Sequence, residues 1–319
     1  AAEQVEGQKK DFIRLGVLGD WDRPYLTMDF KTEANIIRAL GKIISNGHLL
    51  KGAKPVHWCT DCGSSLAEAE VEYYDKTSPS IDVTFHAADA AAVAAKFGVS
   101  NFSGAISLVI WTTTPWTVPT NFAIVVGADI DYVEVRPTEG KFAGKKFYLG
   151  KDLLPHYEKE LGENYEVVRE LKGNELAGRR YYPVFPYFAG DEAESEGHVP
   201  GPNGYTIFTA DYVDTVEGTG LVHQAPYGED DMNTLNAHGI KSTDVLDDGC
   251  RFTAQCPDYE GDFVFDANLP ILRNLRAGDG PLAEIPEERR AILFQEKSYV
   301  HSYPHCWRCA TPLIYKPVS

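Results

Sequence analysis

Apolar residues at Ile36, Ile37, Leu40, Ile43 and Ile44 recur at the i, i+1, i+4, i+7, i+8 spacing of one helical face. This predicts an amphipathic helix opening at Phe30-Lys31-Thr32-Glu33, with Asp29 as N-cap and Gly47 just past its end. A shorter helix precedes it and ends at Gly16. From about residue 80 the pattern shifts toward strands. Ile81-Asp82-Val83-Thr84-Phe85 alternates, and 106–111 is an almost unbroken apolar run, as in a strand buried on both faces. Further strands are predicted at 122–126, 132–135, 147–149, 205–210 and 221–223, with helices at 88–97, 230–238 and 287–297. Many strands with few helices predict a β-rich α+β fold: a closed or nearly closed β-barrel with peripheral helices.

Composition adds limits. Hydrophobic residues make up 43% of 319 positions, enough for a substantial core. Thirty basic against 47 acidic side chains give a net charge of −17, which argues against sequence-blind nucleic-acid binding over a basic surface. It leaves room for an RNA end entering one local pocket. Part of the acidity sits in 191–196, followed by Gly197, Pro200, Gly201, Pro202 and Gly204, a solvated loop by composition. No apolar run approaches the roughly 18 residues of a membrane span. Ala1-Ala2-Glu3-Gln4 carries no signal-peptide pattern and reads as a chain entered midway. A cytoplasmic monomer without membrane contact is expected.

Four of six cysteines form two C-x-x-C pairs, Cys59/Cys62 and Cys306/Cys309. Each such turn points two sulfurs at one ion, and two turns complete a closed, tetrahedral structural zinc site. One pair alone could be a redox dithiol. His57, His301 and His305 lie nearby, but the four thiolates already fill the coordination sphere. With no position open for water, the zinc is structural rather than catalytic. Cys250 and Cys256 read as ordinary thiols. The pairs flank the strand-rich region, which suggests a stalk that the chain leaves and rejoins. Residues 1–78 would form a helical stalk with the first knuckle, 79–298 the barrel, and 299–319 the returning stalk with the second.

Two segments carry chemistry. Thr112, Thr113 and Thr114 end a buried strand, and Pro115 and Pro119 then stop its ladder, so hydroxyls face a cleft. The bland alternative is a β-rich edge. In the second segment, Gly218 and Gly220 permit close backbone approach, His223 ends a strand, and Asp230 and Asp231 open a helix. Asp230 could be only an N-cap. Together these give a polar pocket and name no substrate.

A resemblance narrows the choice. Trp111-Thr112-Thr113-Thr114-Pro115-Trp116-Thr117, then Pro119-Thr120-Asn121, is similar to the threonine-rich signature of the isoleucyl-tRNA synthetase editing domain. Gly218-Thr219-Gly220-Leu221-Val222-His223-Gln224-Ala225-Pro226, with Gly228-Glu229-Asp230-Asp231, resembles that family's second editing signature. Supporting matches are Gly19-Asp20-Trp21, Lys54-Pro55-Val56-His57-Trp58-Cys59, Leu66-Ala67-Glu68-Ala69-Glu70 and Cys306-Trp307-Arg308-Cys309, in family order across nearly the whole chain. Valyl and leucyl enzymes carry Arg-Pro where this chain has Thr114-Pro115. The His223–Asp231 interval is one residue shorter than the family pattern, so Asp230 competes with Asp231 for the same role. The first third resembles the common bacterial form, and the histidine segment another branch. Synthetase ATP motifs (H-I-G-H, K-M-S-K-S), a P-loop and a dinucleotide fingerprint are all absent from the sequence.

The resemblance implies an aminoacyl-tRNA deacylase that removes valine from mischarged isoleucine tRNA at its acceptor end, with isoleucine–tRNA ligase as the parent activity. An aliphatic pocket rejects valine weakly, because one methylene is worth only about 1–3 kcal/mol, a magnitude established on isoleucine-activating enzymes themselves. By resemblance, Asp231 holds the substrate α-ammonium and His223 lines the side-chain pocket. Thr112, Thr113 and Thr114 contact the ester or terminal adenosine and position water, and Asn121 supports the adenosine. The competing reading is a non-catalytic, zinc-stapled module that binds the tRNA acceptor end. A metallohydrolase is disfavoured by the closed thiolate set.

Overall fold

The computed structural model describes residues 1–88, 106–189 and 197–318. Beyond Ala88, the helix expected over 88–97 lies outside them, as does the acidic loop 191–196. The described chain forms two units, residues 1–52 and 53–319. The first holds α1 (Ala2–Arg14) and α2 (Phe30–Ser45), close to the expected limits. Asp29 occupies the N-cap position of α2, but its side chain makes no capping bond; its carbonyl accepts the Glu33 N–H at 2.9 Å. Within this unit Ile36, Ile37, Leu40, Ile43 and Ile44 are all exposed.

The second unit carries β1 (Lys54–Cys59), β2 (Ser64–Leu66), β3 (Val71–His86), β4 (Ile106–Thr112), β5 (Ala123–Val126), β6 (Asp131–Pro137) and β7 (Lys146–Gly150). It continues with β8 (Tyr165–Lys172), β9 (Thr206–Thr209), β10 (Leu221–Gln224), α3 (Glu229–Ala237), α4 (Val264–Ala277), β11 (Leu293–Cys306) and β12 (Ile314–Val318). These strands make a six-stranded sheet of order β11-β3-β4-β7-β6-β8 and two three-stranded sheets, β10-β5-β9 and β12-β1-β2. The α+β, β-rich class is as expected. Among the described residues no sheet closes on itself: the large sheet ends at β11 and β8, so the strands pack as separate sheets instead of a closed barrel.

Burial explains the unbroken apolar run of β4. Ile106, Leu108 and Ile110 face the main core with Ile81, Val83, Trp116 and Ile124, while Val109 faces a second core with Val133, Phe147, Leu149 and Phe294. A strand covered on both sides has no polar face to present. On β6, the fully buried Glu134 takes Arg169 Nε at 2.7 Å, Tyr148 OH at 2.7 Å and Lys146 Nζ at 3.6 Å, which ties β6, β7 and β8 together. A buried carboxylate is tolerated when it is paired in this way.

The helix expected at 287–297 is not formed. A short 3-10 turn covers Glu287–Arg289, and β11 begins at Leu293. The apolar cluster Ala291-Ile292-Leu293-Phe294 fits a short helical window, but residues 295–306 all pair antiparallel with β3, from Gln295↔Asp82 to Cys306↔Val71. Tertiary pairing overrides local preference here. The long β3 and β11 also run straight through positions 78–79 and 298–299, where the sequence pattern places domain limits.

Candidate functional site

The site forms where β4 ends beside β10. Pro115 opens a 3-10 turn (Pro115–Thr120), so the chain folds over just past the threonines. Thr112 Oγ1 accepts the Thr114 N–H at 3.1 Å and lies 3.0 Å from Thr114 Oγ1, which is 3.4 Å from Thr117 Oγ1. Thr117 Oγ1 donates to the Thr114 carbonyl at 2.9 Å and lies 3.0 Å from His223 Nε2, 106 residues away. With its proton spent on that carbonyl, Thr117 accepts from His223, which assigns the imidazole hydrogen to Nε2. His223 Nδ1 is then a buried acceptor with no protein partner. Thr113 Oγ1 makes no hydrogen bond among the described residues, which leaves it available to water or substrate.

The opposite wall is the Gly218-Thr219-Gly220 segment. Gly218 has φ +74° and Gly220 φ +77°, and a Cβ would sit 3.2 Å from Trp111 at the first and 3.3 Å from the Tyr132 ring at the second. Left-handed backbone and close approach both favour glycine at these two places. Tyr132 OH donates to the Gly220 carbonyl at 2.6 Å, and the Gly150 N–H to the Thr219 carbonyl at 2.7 Å, fixing the segment from behind.

Two cavities meet here. One, of about 510 Å³, is lined by Trp111, Thr112, Thr113, Thr114 and the 216–223 segment. The other, of about 380 Å³, is lined largely by rings, including His57, Trp116, Tyr227, Tyr303 and Tyr315. Thr114, His223 and Asp231 line both. His57 Nδ1, Trp116 Nε1 and His223 Nδ1 are buried, lack a protein hydrogen-bond partner, and all border the ring-lined cavity.

Asp231 is the third residue of α3, half-buried, and no cation pairs with it among the described residues. Burial pushes its carboxyl up to about 7, against a hydrogen bond from the Ala225 backbone that favours the anion; neighbouring Asp230 adds to the rise. Burial pushes His223 down to about 4, so the ring is neutral near pH 7. Asp230 is exposed and lines neither cavity.

Thr112, Thr113, Thr114, His223 and Asp231 therefore converge. Asn121 does not join them: it lines neither cavity, and its amide is taken up by the Ala123 carbonyl at 2.9 Å and Tyr181 OH at 2.6 Å. Sequence alone also passes over Thr117 and the ring-bearing residues. Thr117 has a signal in its place three residues after Thr114 across the turn-forming Pro115. Tyr303 precedes the second cysteine pair in the same family pattern, but nothing local says that it or Tyr315 reaches this cavity, because only the β11 and β12 pairings bring them in.

Cys59, Cys62, Cys306 and Cys309 have sulfurs all within 4.8 Å of one another, and Leu313, which packs against Cys59 and Cys306, also lines the ring-bearing cavity. Cys59–Cys309, Cys62–Cys309 and Cys62–Cys306 separations are 3.4, 3.8 and 3.9 Å. Sulfurs about 2.3 Å from a tetrahedral ion are about 3.8 Å apart, so the four thiols fit a metal ion. Cys250 and Cys256 are free and buried elsewhere.

A family model described as tRNA synthetases class I (I, L, M and V) matches residues 1–307. The chain is 72% identical over 305 residues to an isoleucine–tRNA ligase of Bifidobacterium longum, covering 94% of this chain and 26% of that protein. It is 54% identical over 319 residues to the isoleucine–tRNA ligase of Serratia proteamaculans, covering 99% and 31%. The chain thus spans about a quarter to a third of these relatives. Among solved structures, the editing domain of the P. falciparum cytosolic leucyl-tRNA synthetase matches with TM-score 0.43 and 8% identity over 62% of this chain and 96% of that one. The P. knowlesi counterpart gives TM-score 0.44 and 10% identity over 63% and 94%. Likeness at that level is too coarse to align site residues.

Proposed function

The chain belongs to the class I tRNA synthetases (I, L, M and V), and from that premise we propose that its cleft hydrolyses valine from mischarged isoleucine tRNA. The observation that carries this reading is the sharing of Thr114, His223 and Asp231 by two adjoining cavities. One is rich in hydroxyls and backbone, suited to a terminal adenosine and ester; the other is small and ring-lined, suited to a short aliphatic side chain. High identity to isoleucine–tRNA ligases supports isoleucine tRNA as the carrier.

In this reading Asp231 receives the α-ammonium of the esterified amino acid. His223 is a neutral wall whose bulk limits the side chain admitted. Thr113, with its hydroxyl uncommitted, orients the attacking water, and Thr112 and Thr114 hold the ester from the hydrogen-bonded chain that ends on His223. Water attacks the ester carbonyl directly, the acyl C–O bond breaks, and the ribose oxygen leaves with a proton. Thr117 is a poor nucleophile because its proton is committed to a carbonyl and its histidine partner is a weak base. Rate enhancement then comes from positioning and electrostatic stabilisation. The four cysteines would hold a structural zinc, with 79–298 as the editing body and the flanking segments as its stalk. The acceptor end of tRNA in the cytoplasm is the proposed partner.

Deacylation of valyl- and isoleucyl-tRNA by the chain itself tests the proposal. Turnover of the valyl ester with the isoleucyl ester spared is expected. Binding of the acceptor end with no turnover of either ester would replace it with the non-catalytic module.

A further inference from the structure

A cleft of about 540 Å³ lies elsewhere in the second unit, between the end of α4, the β6–β7 turn and the start of β11. In a chain of net charge −17 its lining is basic. Lys141 and Lys145 come from the turn, Arg276 from α4 and Arg290 from the segment before β11, against only Glu287 and Glu296. Glu296 is already paired with Arg276 at 2.6 Å. Lys141 and Lys145 are exposed and form no ion pair among the described residues.

Two donors in the lining are buried and unpartnered: Arg290 Nε and Gln295 Nε2, the latter on a side chain only 9% exposed. A buried N–H left without an acceptor is costly, so these two donors point to an acceptor received by the cleft. The carbonyl end of α4 also faces the cleft and would repel an anion. Arg290 offsets this: its side chain packs against Gly278, where a Cβ would stand 2.9 Å from Cδ, and Nη2 donates to the Ile285 carbonyl at 2.9 Å. Position adds to the argument. Tyr299, whose ring meets Trp111 of the reaction cleft at 5.7 Å, is four residues along β11 from Gln295, or roughly 13 Å at about 3.3 Å per residue.

We propose that this cleft is a phosphate-binding subsite, contacted by Lys141, Lys145, Arg290 and Gln295, that takes a backbone phosphate of the RNA whose end enters the neighbouring cleft. The phosphate chemistry stands by itself; its RNA source rests on the function proposed above.

The test uses inorganic phosphate titrated by calorimetry, and uncharged isoleucine tRNA bound across a salt series, on wild type, Lys141→Ala/Lys145→Ala and Gln295→Glu. Both variants should weaken inorganic phosphate by about tenfold or more, as expected when charge-assisted hydrogen bonds are removed. The lysine double variant should also flatten the log-affinity against log-salt slope for tRNA by about 0.7–0.9 for each phosphate it no longer neutralises. Loss of phosphate binding with an unchanged tRNA slope would assign the site to a free phosphate compound and overturn the RNA source. Phosphate affinity unchanged in a folded lysine double variant would overturn the site itself. Failure of wild-type protein to deacylate valyl-tRNA leaves the phosphate arm intact, so the two readings fail separately.

Discussion

Removing the Asp231 carboxylate should disable the cleft without unfolding the protein. The side chain is half-buried, borders both cavities and has no cation beside it among the described residues. Its charge is therefore uncompensated until a ligand ammonium arrives. Two unit charges about 4 Å apart at an effective dielectric of about 20 attract by about 4 kcal/mol. Partial exposure to water reduces that to about 3 kcal/mol, or roughly two orders of magnitude in kcat/KM. Asp231→Asn and Asp231→Ala should both show this loss in valyl-tRNA deacylation, with far-UV circular dichroism unchanged. The pH profile gives a second readout. With the free carboxyl near 7, the competent anion accumulates as pH rises, so kcat/KM should climb through about pH 7. It should fall again as the ester's ammonium loses its proton, at roughly 7.7–8.0 for an α-amino group. Asp231→Asn should erase the acidic limb. Wild-type kcat/KM or an intact acidic limb in Asp231→Asn would refute the reasoning.

Asp230→Ala should be mild in the same assay, since Asp230 is exposed and lines neither cavity; if it is the inactive variant, the ammonium contact belongs to Asp230. His223→Ala should open the shared wall and allow hydrolysis of isoleucyl-tRNA, which product analysis on both esters will show; continued sparing of the isoleucyl ester would remove His223 from specificity. Elemental analysis of reduced native protein should find one zinc per chain. Cys62→Ser should release it and lower the melting temperature, since structural zinc contributes on the order of 10 kcal/mol of apparent binding energy in small sites. Deacylation should persist within about tenfold, because the threonine wall is anchored by β4 and β10 with their own core; activity strictly proportional to zinc would contradict a structural role.

Residues that act through local chemistry are readable from the sequence. The α2 stripe, the C-x-x-C spacing, the doubly buried β4 and the threonines before Pro115 all signal within a dozen positions. Features set by distant pairing are not. Residues 287–297 read as helix because the apolar spacing near 291–294 fits one, whereas the partner that makes 295–306 a strand lies more than 200 positions earlier. Asn121 sits inside a recognisable signature, yet its amide direction is decided by Tyr181, 60 positions away. The aromatic wall from Tyr303 and Tyr315 is illegible for the same reason. Separate sheets rather than a closed barrel reflect strand order, which alternation along a strand does not encode.

The pairing of β1 with β12 also has a mechanical consequence. Lys54 stands opposite Val318, and the register runs inward to Trp58 opposite Ile314 before reaching Cys59. A load that pulls the two ends of this unit apart therefore peels the ladder one rung at a time instead of shearing all its hydrogen bonds together. Five registered pairs would yield in sequence, with the buried Lys316–Asp244 contact of 2.7 Å resisting along the way. The peel then arrives at Cys59 and, across the cluster, Cys306. With a metal held there, the four sulfurs would form the clasp at which the zipper stops. The His57↔Tyr315 rung, whose rings line the smaller cavity, lies on the loaded side of that clasp, so the strain meets the cleft's wall before it meets the metal.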